Sequence, residues 1–66
     1  MKKRKYYFIV ECGNGVNRLS TFKYASNHFE AEKQAEEEYF KMFLAYPVDV
    51  ESRKSTKTEC YNLFNV

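Results

Sequence analysis

An α+β domain, with an antiparallel sheet and one helix packed on one of its faces, is the fold class that this sequence predicts. Three observations predict it. Residues 5–12 read as a strand with apolar side chains in both alternating sets, followed by Asn14-Gly15, the strongest short signal for a β-hairpin. Ala31, Ala35, Tyr39, Met42 and Tyr46 recur at spacings of four, four, three and four, which lines one face of a helix. After Pro47, residues 48–51 alternate between apolar and acidic, the period of a half-buried strand. The expected order is β-β-α-β-β, two hairpins around one helix.

The first strand carries apolar side chains in both alternating sets, Tyr6/Phe8/Val10 and Tyr7/Ile9, as suits a strand with neighbours on both sides. A two-residue turn at Asn14-Gly15 sets Glu11 opposite Arg18, Val10 opposite Leu19 and Tyr7 opposite Phe22 in the returning strand, residues 16–25. A longer loop that includes Gly13 shifts this register by one residue and flips every partner. The helix is expected over residues 27–46. Ser26 or Asn27 can cap it, and Glu30 stands three residues after Asn27, the spacing of a capping box. Pro47 is expected to end it by driving Tyr46 out of helical geometry. Residues 53–58 are polar and turn-like. Residues 59–66 alternate as a last strand, with Cys60, Asn62, Phe64 and Val66 on one side.

With 66 residues, the chain has room for one domain over residues 6–66, preceded by a basic, flexible tail over residues 1–5. A domain this short buries only about 60% of the surface that its unfolded chain exposes. It therefore needs help from dense packing, self-association or a cross-link. Cys12 and Cys60 are a single distant pair without Cys-x-x-Cys spacing, so free thiols in a reducing, cytoplasmic setting are expected. No apolar stretch is long enough to span a membrane, and the short run after the basic start is no secretory leader.

The net charge of +2 conceals a separation. Lys2, Lys3, Arg4 and Lys5 make the tail strongly basic. Over residues 27–46, Glu30, Glu32, Glu36, Glu37 and Glu38 outweigh Lys33 and Lys41, which makes one side of the molecule acidic. Such a side disfavours a membrane surface, which selects Lys and Arg beside the apolar stripe.

Catalytic chemistry is thin. His28 is the only histidine, placed in the first helical turn where it faces solvent, with no orienting carboxylate or nucleophile evident at nearby positions. His28, Cys12 and Cys60 lack the spacing of a zinc site. Glu36, Glu37 and Glu38 are consecutive and so diverge around a helix. Gly13-x-Gly15 opens a hairpin rather than a helix and makes no phosphate loop. No enzyme, no cofactor, no metal and no small-molecule substrate are expected.

The expectation instead is a binding protein. Twelve of the residues are aromatic, and one helix can cover only one face of a sheet. Tyr7, Phe22, Tyr24, Phe40, Phe43 and Tyr46 are the candidate partner-binding residues, for another protein or for a second copy in a homodimer. In outline the chain resembles the very small α+β proteins by which phages and other mobile elements inhibit a host or defence protein. Its lysine excess over arginine and its frequent Phe, Tyr and Asn agree with that outline. The alternative is a single-stranded nucleic-acid binder that uses Lys2, Lys3, Arg4, Lys5 and Tyr6, with phosphate attraction beside rings on which bases stack. The glycine-aromatic signature and second helix of RNA-recognition domains are missing. A third expectation is a regulatory or assembly subunit of a larger complex.

Overall fold

The computed structural model describes residues 4–65. The elements run β1 (Tyr6–Gly13), β2 (Arg18–Ala25), α1 (His28–Phe43), β3 (Asp49–Ser55) and α2 (Lys57–Phe64). The three strands form one antiparallel sheet in the order β2-β1-β3. The α+β class, the antiparallel sheet and the helix packed on one face are as the sequence predicts.

The expected last strand is a helix. Thr56 caps α2, its side chain accepting from the Glu59 backbone N–H at 3.1 Å. Thr56 and Glu59 thus carry the spacing of a capping box. The Glu59 carboxylate, however, turns to the Ser55 hydroxyl and to Arg53 Nη1, the latter at 3.1 Å. Burial also favours the helix over the strand. Cys60 is fully buried, and Tyr61 and Phe64 both place their rings on Phe22. Residues three and four apart share a helical face, so Cys60, Tyr61 and Phe64 reach the sheet together.

The hairpin register also differs from the expected one. Cys12 pairs with Leu19, Glu11 with Ser20 and Tyr7 with Tyr24. Asn14 decides this, because its side-chain oxygen accepts from Val16 N at 3.0 Å and Asn17 N at 2.9 Å. That closes a loop over residues 14–17, with Gly15 at φ 87°, where an asparagine side chain takes the place of a backbone turn. The change is two residues, so every side chain keeps its expected face.

One face of β1 presents Phe8, Val10 and Cys12 to Ala31, Ala35 and Tyr39 of α1, and these six side chains with Ala25 form the core. The two alanines let α1 approach the sheet closely, and Tyr39 fills the space beyond them. Its hydroxyl donates to the Asn17 carbonyl at 3.0 Å, so a fully buried phenol still meets a partner. Asn27 caps α1, accepting from Glu30 N at 2.8 Å. The helix ends at Phe43, before Pro47, because Leu44 takes a left-handed conformation at φ 56° and sends its N–H to the Phe40 carbonyl. Tyr46, expected on the buried stripe, therefore lies beyond the helix and is exposed, and Met42, in the last helical turn, is exposed as well.

The opposite face divides into halves. Tyr7, Phe22 and Tyr24 lie beside Tyr61 of α2, with Tyr7 and Tyr24 rings 4.7 Å apart and Tyr7 meeting Tyr61 edge-on at 6.5 Å. The other half is polar, with Glu11 between Ser20 and Glu51. The premise that one helix leaves an aromatic sheet face open is thereby corrected: α2 covers its aromatic half.

Candidate functional site

With α1 on one sheet face and α2 on the aromatic half of the other, the exposed apolar and basic side chains gather at the two ends of the strands. The first end gathers the β1–β2 loop, the C-terminus of α1 and the α1–β3 connection. Two bonds hold them together, Tyr39 Oη to the Asn17 carbonyl and Val48 N to the Gly13 carbonyl at 2.8 Å. Phe40 and Tyr46 stack here with ring centroids 4.7 Å apart and planes inclined by 26°. Around them Leu44 is 79% exposed, Val48 78% and Tyr46 63%. Val16, at the tip of the hairpin loop, is 86% exposed. Scattered exposed apolar residues are ordinary, but here they are concentrated at one end of the strands.

Leu44 stands out among them. A left-handed backbone at a helix C-terminus is the position for glycine, and a γ-branched residue there costs about 1–2 kcal/mol. The side chain recovers little of that by burial. Helix termination explains the conformation, while the outward leucine contributes little to the fold.

The second end gathers the start of β1, the end of β2, the end of β3 and the first turn of α2. Lys54 Nζ lies 3.6 Å from the centre of the Tyr6 ring, and Arg4 lies 5.4 Å from the same ring. Lys5 stands 5.9 Å from Tyr24, and Lys57 stands 5.4 Å from Tyr61. Burial, and then the adjacent Tyr61, hold the Tyr7 phenol above its ordinary pKa. Tyr7 shares the α2 face with Tyr24 and Tyr61, whereas Tyr6 lies on the α1 face beside Ala25.

The structure therefore separates the residues predicted as one contact set. Phe40 and Tyr46 share the first end. Phe43 sits behind them, tilted against Tyr39 at 4.7 Å and partly buried against the core. Tyr7 and Phe22 lie under α2, and Tyr24 is half-exposed at the second end. Of the nucleic-acid candidates, Arg4, Lys5 and Tyr6 meet at the second end, while Lys2 and Lys3 lie outside the described residues, as does most of the expected tail. Sequence reading missed Lys54, Lys57 and Tyr61 there, since only the helical form of α2 and the pairing of β3 bring them alongside. The sequence groups Leu44 with Phe40, Phe43 and Tyr46 as an apolar excess at the helix end, while Val48 was missed there because it was read only as part of a strand.

A third grouping joins α1 to β3. The Ser52 hydroxyl donates to Glu32, and His28 Nδ1 lies 2.8 Å from the same hydroxyl. A serine nucleophile needs a histidine that accepts its proton, whereas here the proton points to the carboxylate and His28 Nδ1–H completes the bond as donor. The edge-on packing of His28 on Phe8 at 4.7 Å fits a clasp that fixes the start of α1 to the sheet. The shallow hollow lined by Ile9, Glu11, Glu51, Ser52 and Arg53 gains no nucleophile from it, because the serine hydroxyl is committed to Glu32.

Among the described residues no three His, Cys, Asp or Glu side chains gather as metal ligands, and no helix is long and apolar enough to cross a membrane. Cys12 faces α1 and Cys60 belongs to α2, on opposite sides of the sheet, and both are buried, free thiols. Burial, and then Glu36 and Glu38, push the Cys12 thiol upward, away from the reactive thiolate. Comparison of the chain with protein-family models, curated proteins and solved structures finds no match.

Proposed function

We propose that this chain is a non-enzymatic protein-binding module that acts by stoichiometric docking through the Phe40/Leu44/Tyr46 end. The observation that carries the proposal is Leu44, an exposed leucine held in a conformation that stability alone assigns to glycine, beside a stacked aromatic pair. Strained positions kept at a surface are characteristic of contact sites, and aromatic anchors dominate interface energies. Glu37 lies one helical turn before Phe40 on the same stripe, and Glu36 beside it, so the matching surface is an apolar cleft with a basic rim. Blocking such a cleft is how a small inhibitor of the phage type works. Two buried thiols that cannot pair with each other support a reducing, cytoplasmic setting.

The experiment compares the wild-type chain with Leu44→Asp and Tyr46→Ser, both exposed changes, in light scattering across concentration and in capture from cell lysate. A dimer that both substitutions dissociate identifies the partner as a second copy. A monomer whose captured protein is lost with both substitutions, at unchanged melting temperature, identifies a separate partner. Binding that survives both substitutions overturns the assignment of this end.

A further inference from the structure

The second end of the sheet has a different chemistry, and it stands independently of the proposal above. Two stretches of chain meet at this end, residues 4–5 and 54–57, and their cations divide between the faces: Arg4 and Lys54 lie over Tyr6 on the α1 face, Lys5 and Lys57 beside Tyr24 and Tyr61 on the α2 face. Among the described residues none of the four forms an ion pair, because the three ion pairs are Arg18 with Glu11, Lys23 with Glu38 and Arg53 with Glu59. The carboxylates that belong to this end are committed elsewhere. Glu30 accepts from the Ser26 hydroxyl at 2.7 Å, Glu32 from Ser52, and Glu59 from Ser55 and Arg53. The basic groups are thus unneutralised while the acidic ones are tied inward.

Lys57 adds a second reason. It is the first residue of α2, where the helix dipole disfavours a cation and favours an anion. A lysine there works against α2 and in favour of a bound negative charge. The rings complete the pattern, since Tyr24 is 52% and Tyr61 37% exposed. Cations spaced among accessible aromatic faces meet the two needs of an unpaired nucleic-acid strand, phosphate neutralisation and a surface on which bases stack. A duplex hides its base faces, and a lipid headgroup offers none.

We infer that single-stranded nucleic acid binds across this end of the sheet, passing from Lys5 and Lys57 with Tyr24 and Tyr61 on the α2 face to Arg4 and Lys54 with Tyr6 on the α1 face. Lysines now resting on the rings swing to the phosphates as bases take their place. The site is short, on the scale of a few nucleotides, and reads charge and stacking rather than sequence.

The test is fluorescence anisotropy of a labelled oligothymidylate of twelve nucleotides, titrated with the full chain at several salt concentrations. Binding is expected at low salt, with log K falling against log salt at a slope of about −0.7 for each phosphate neutralised. Lys54→Gln with Lys57→Gln lowers the magnitude of that slope by about 1.4, the share of two phosphates. Tyr24→Leu with Tyr61→Leu keeps the slope and weakens binding by about tenfold or more, as loss of stacking requires. Lys33→Gln with Lys41→Gln, on α1, leaves binding unchanged. Circular dichroism and melting of each variant separate loss of contact from loss of fold, and the lysine variants alone suffice if the tyrosine variant melts early. No binding at low salt overturns the inference. So does equal affinity for dextran sulfate with no effect of the tyrosine pair, which would reduce the end to a plain cationic patch.

Discussion

The two faces of the sheet are covered by helices of opposite character. On one, the 16-residue α1 lays Ala31, Ala35 and Tyr39 on Phe8, Val10 and Cys12, and every one of these side chains is buried. On the other, the eight-residue α2 buries only Cys60 fully and rests tilted aromatic rings on Phe22 and Tyr7. The first interface is close-packed and organises the fold. The second is a cover, made of large side chains that remain partly wet. An isolated helix as short as α2 is unstable in water, so its existence depends on the rings beneath it. That difference assigns much of the aromatic surplus to internal packing, Tyr61 and Phe64 resting on Phe22 and Tyr7.

The sharpest way to test the contrast is to remove one ring from each side. Tyr39→Ala is expected to cost about 3–5 kcal/mol, comparable with the whole stability of a chain this short, and to abolish cooperative unfolding in urea. Phe64→Ala, at a half-buried position, is expected to cost about 1–2 kcal/mol and to leave a folded sheet with brighter binding of a hydrophobic dye. Equal losses at the two sites would break the distinction between organising face and cover.

The caps sharpen it further. Asn27→Ala and Thr56→Ala each remove a bond to a helical N–H, at an expected cost of about 1 kcal/mol. Loss at Asn27 should lower protection from hydrogen exchange throughout the sheet. Loss at Thr56 should do so only in residues 57–64 and the strands under them. A global effect at Thr56 would mean that α2 folds as one unit with the core.

The smallest expected effect is on pH. Hydrogen bonds from Ser55 and Arg53, with the charge of Arg53, hold the Glu59 carboxyl below its ordinary value. Its contribution is complete above the unfolded-state value and is lost as pH falls through the lower folded value. Melting curves of wild type and Glu59→Gln should therefore differ near neutrality and converge in acid. Parallel curves across the acid range would remove Glu59 from the anchoring of α2.

What the sequence disclosed follows the same division. The Ala31/Ala35/Tyr39 stripe has one period over several turns, and the paired apolar sets of β1 mark a central strand without help from elsewhere. In residues 57–64 the helical spacing of Cys60, Tyr61 and Phe64 competes with the alternation of Cys60, Asn62, Phe64 and Val66, and a short segment supports both. The Thr56-x-x-Glu59 spacing was the local signal that favours the helix. The loop over residues 14–17 was concealed for another reason. Asn-Gly suits a two-residue turn, and only the side-chain bonds of Asn14 with the Tyr39 hydroxyl select the longer one. At the candidate ends, Phe40, Tyr46, Arg4, Lys5 and Tyr6 were legible as residue types. Leu44 was legible with Phe40 and Tyr46 as an apolar excess at the helix end, whereas Lys54, Lys57 and Tyr61 join the second end only through tertiary placement, which no local pattern encodes.

The central claim is that α2 is a helix lying on the aromatic half of the sheet, and the proposed contacts at the strand ends depend on it. Carbon chemical shifts and proton–proton Overhauser contacts of the labelled chain in solution test it most directly. The account predicts helical shifts over residues 57–64 and contacts from the Tyr61 and Phe64 rings to Phe22. Extended shifts there, with cross-strand contacts and a Phe22 ring free of α2, would contradict it and return the open aromatic face to the list of binding surfaces.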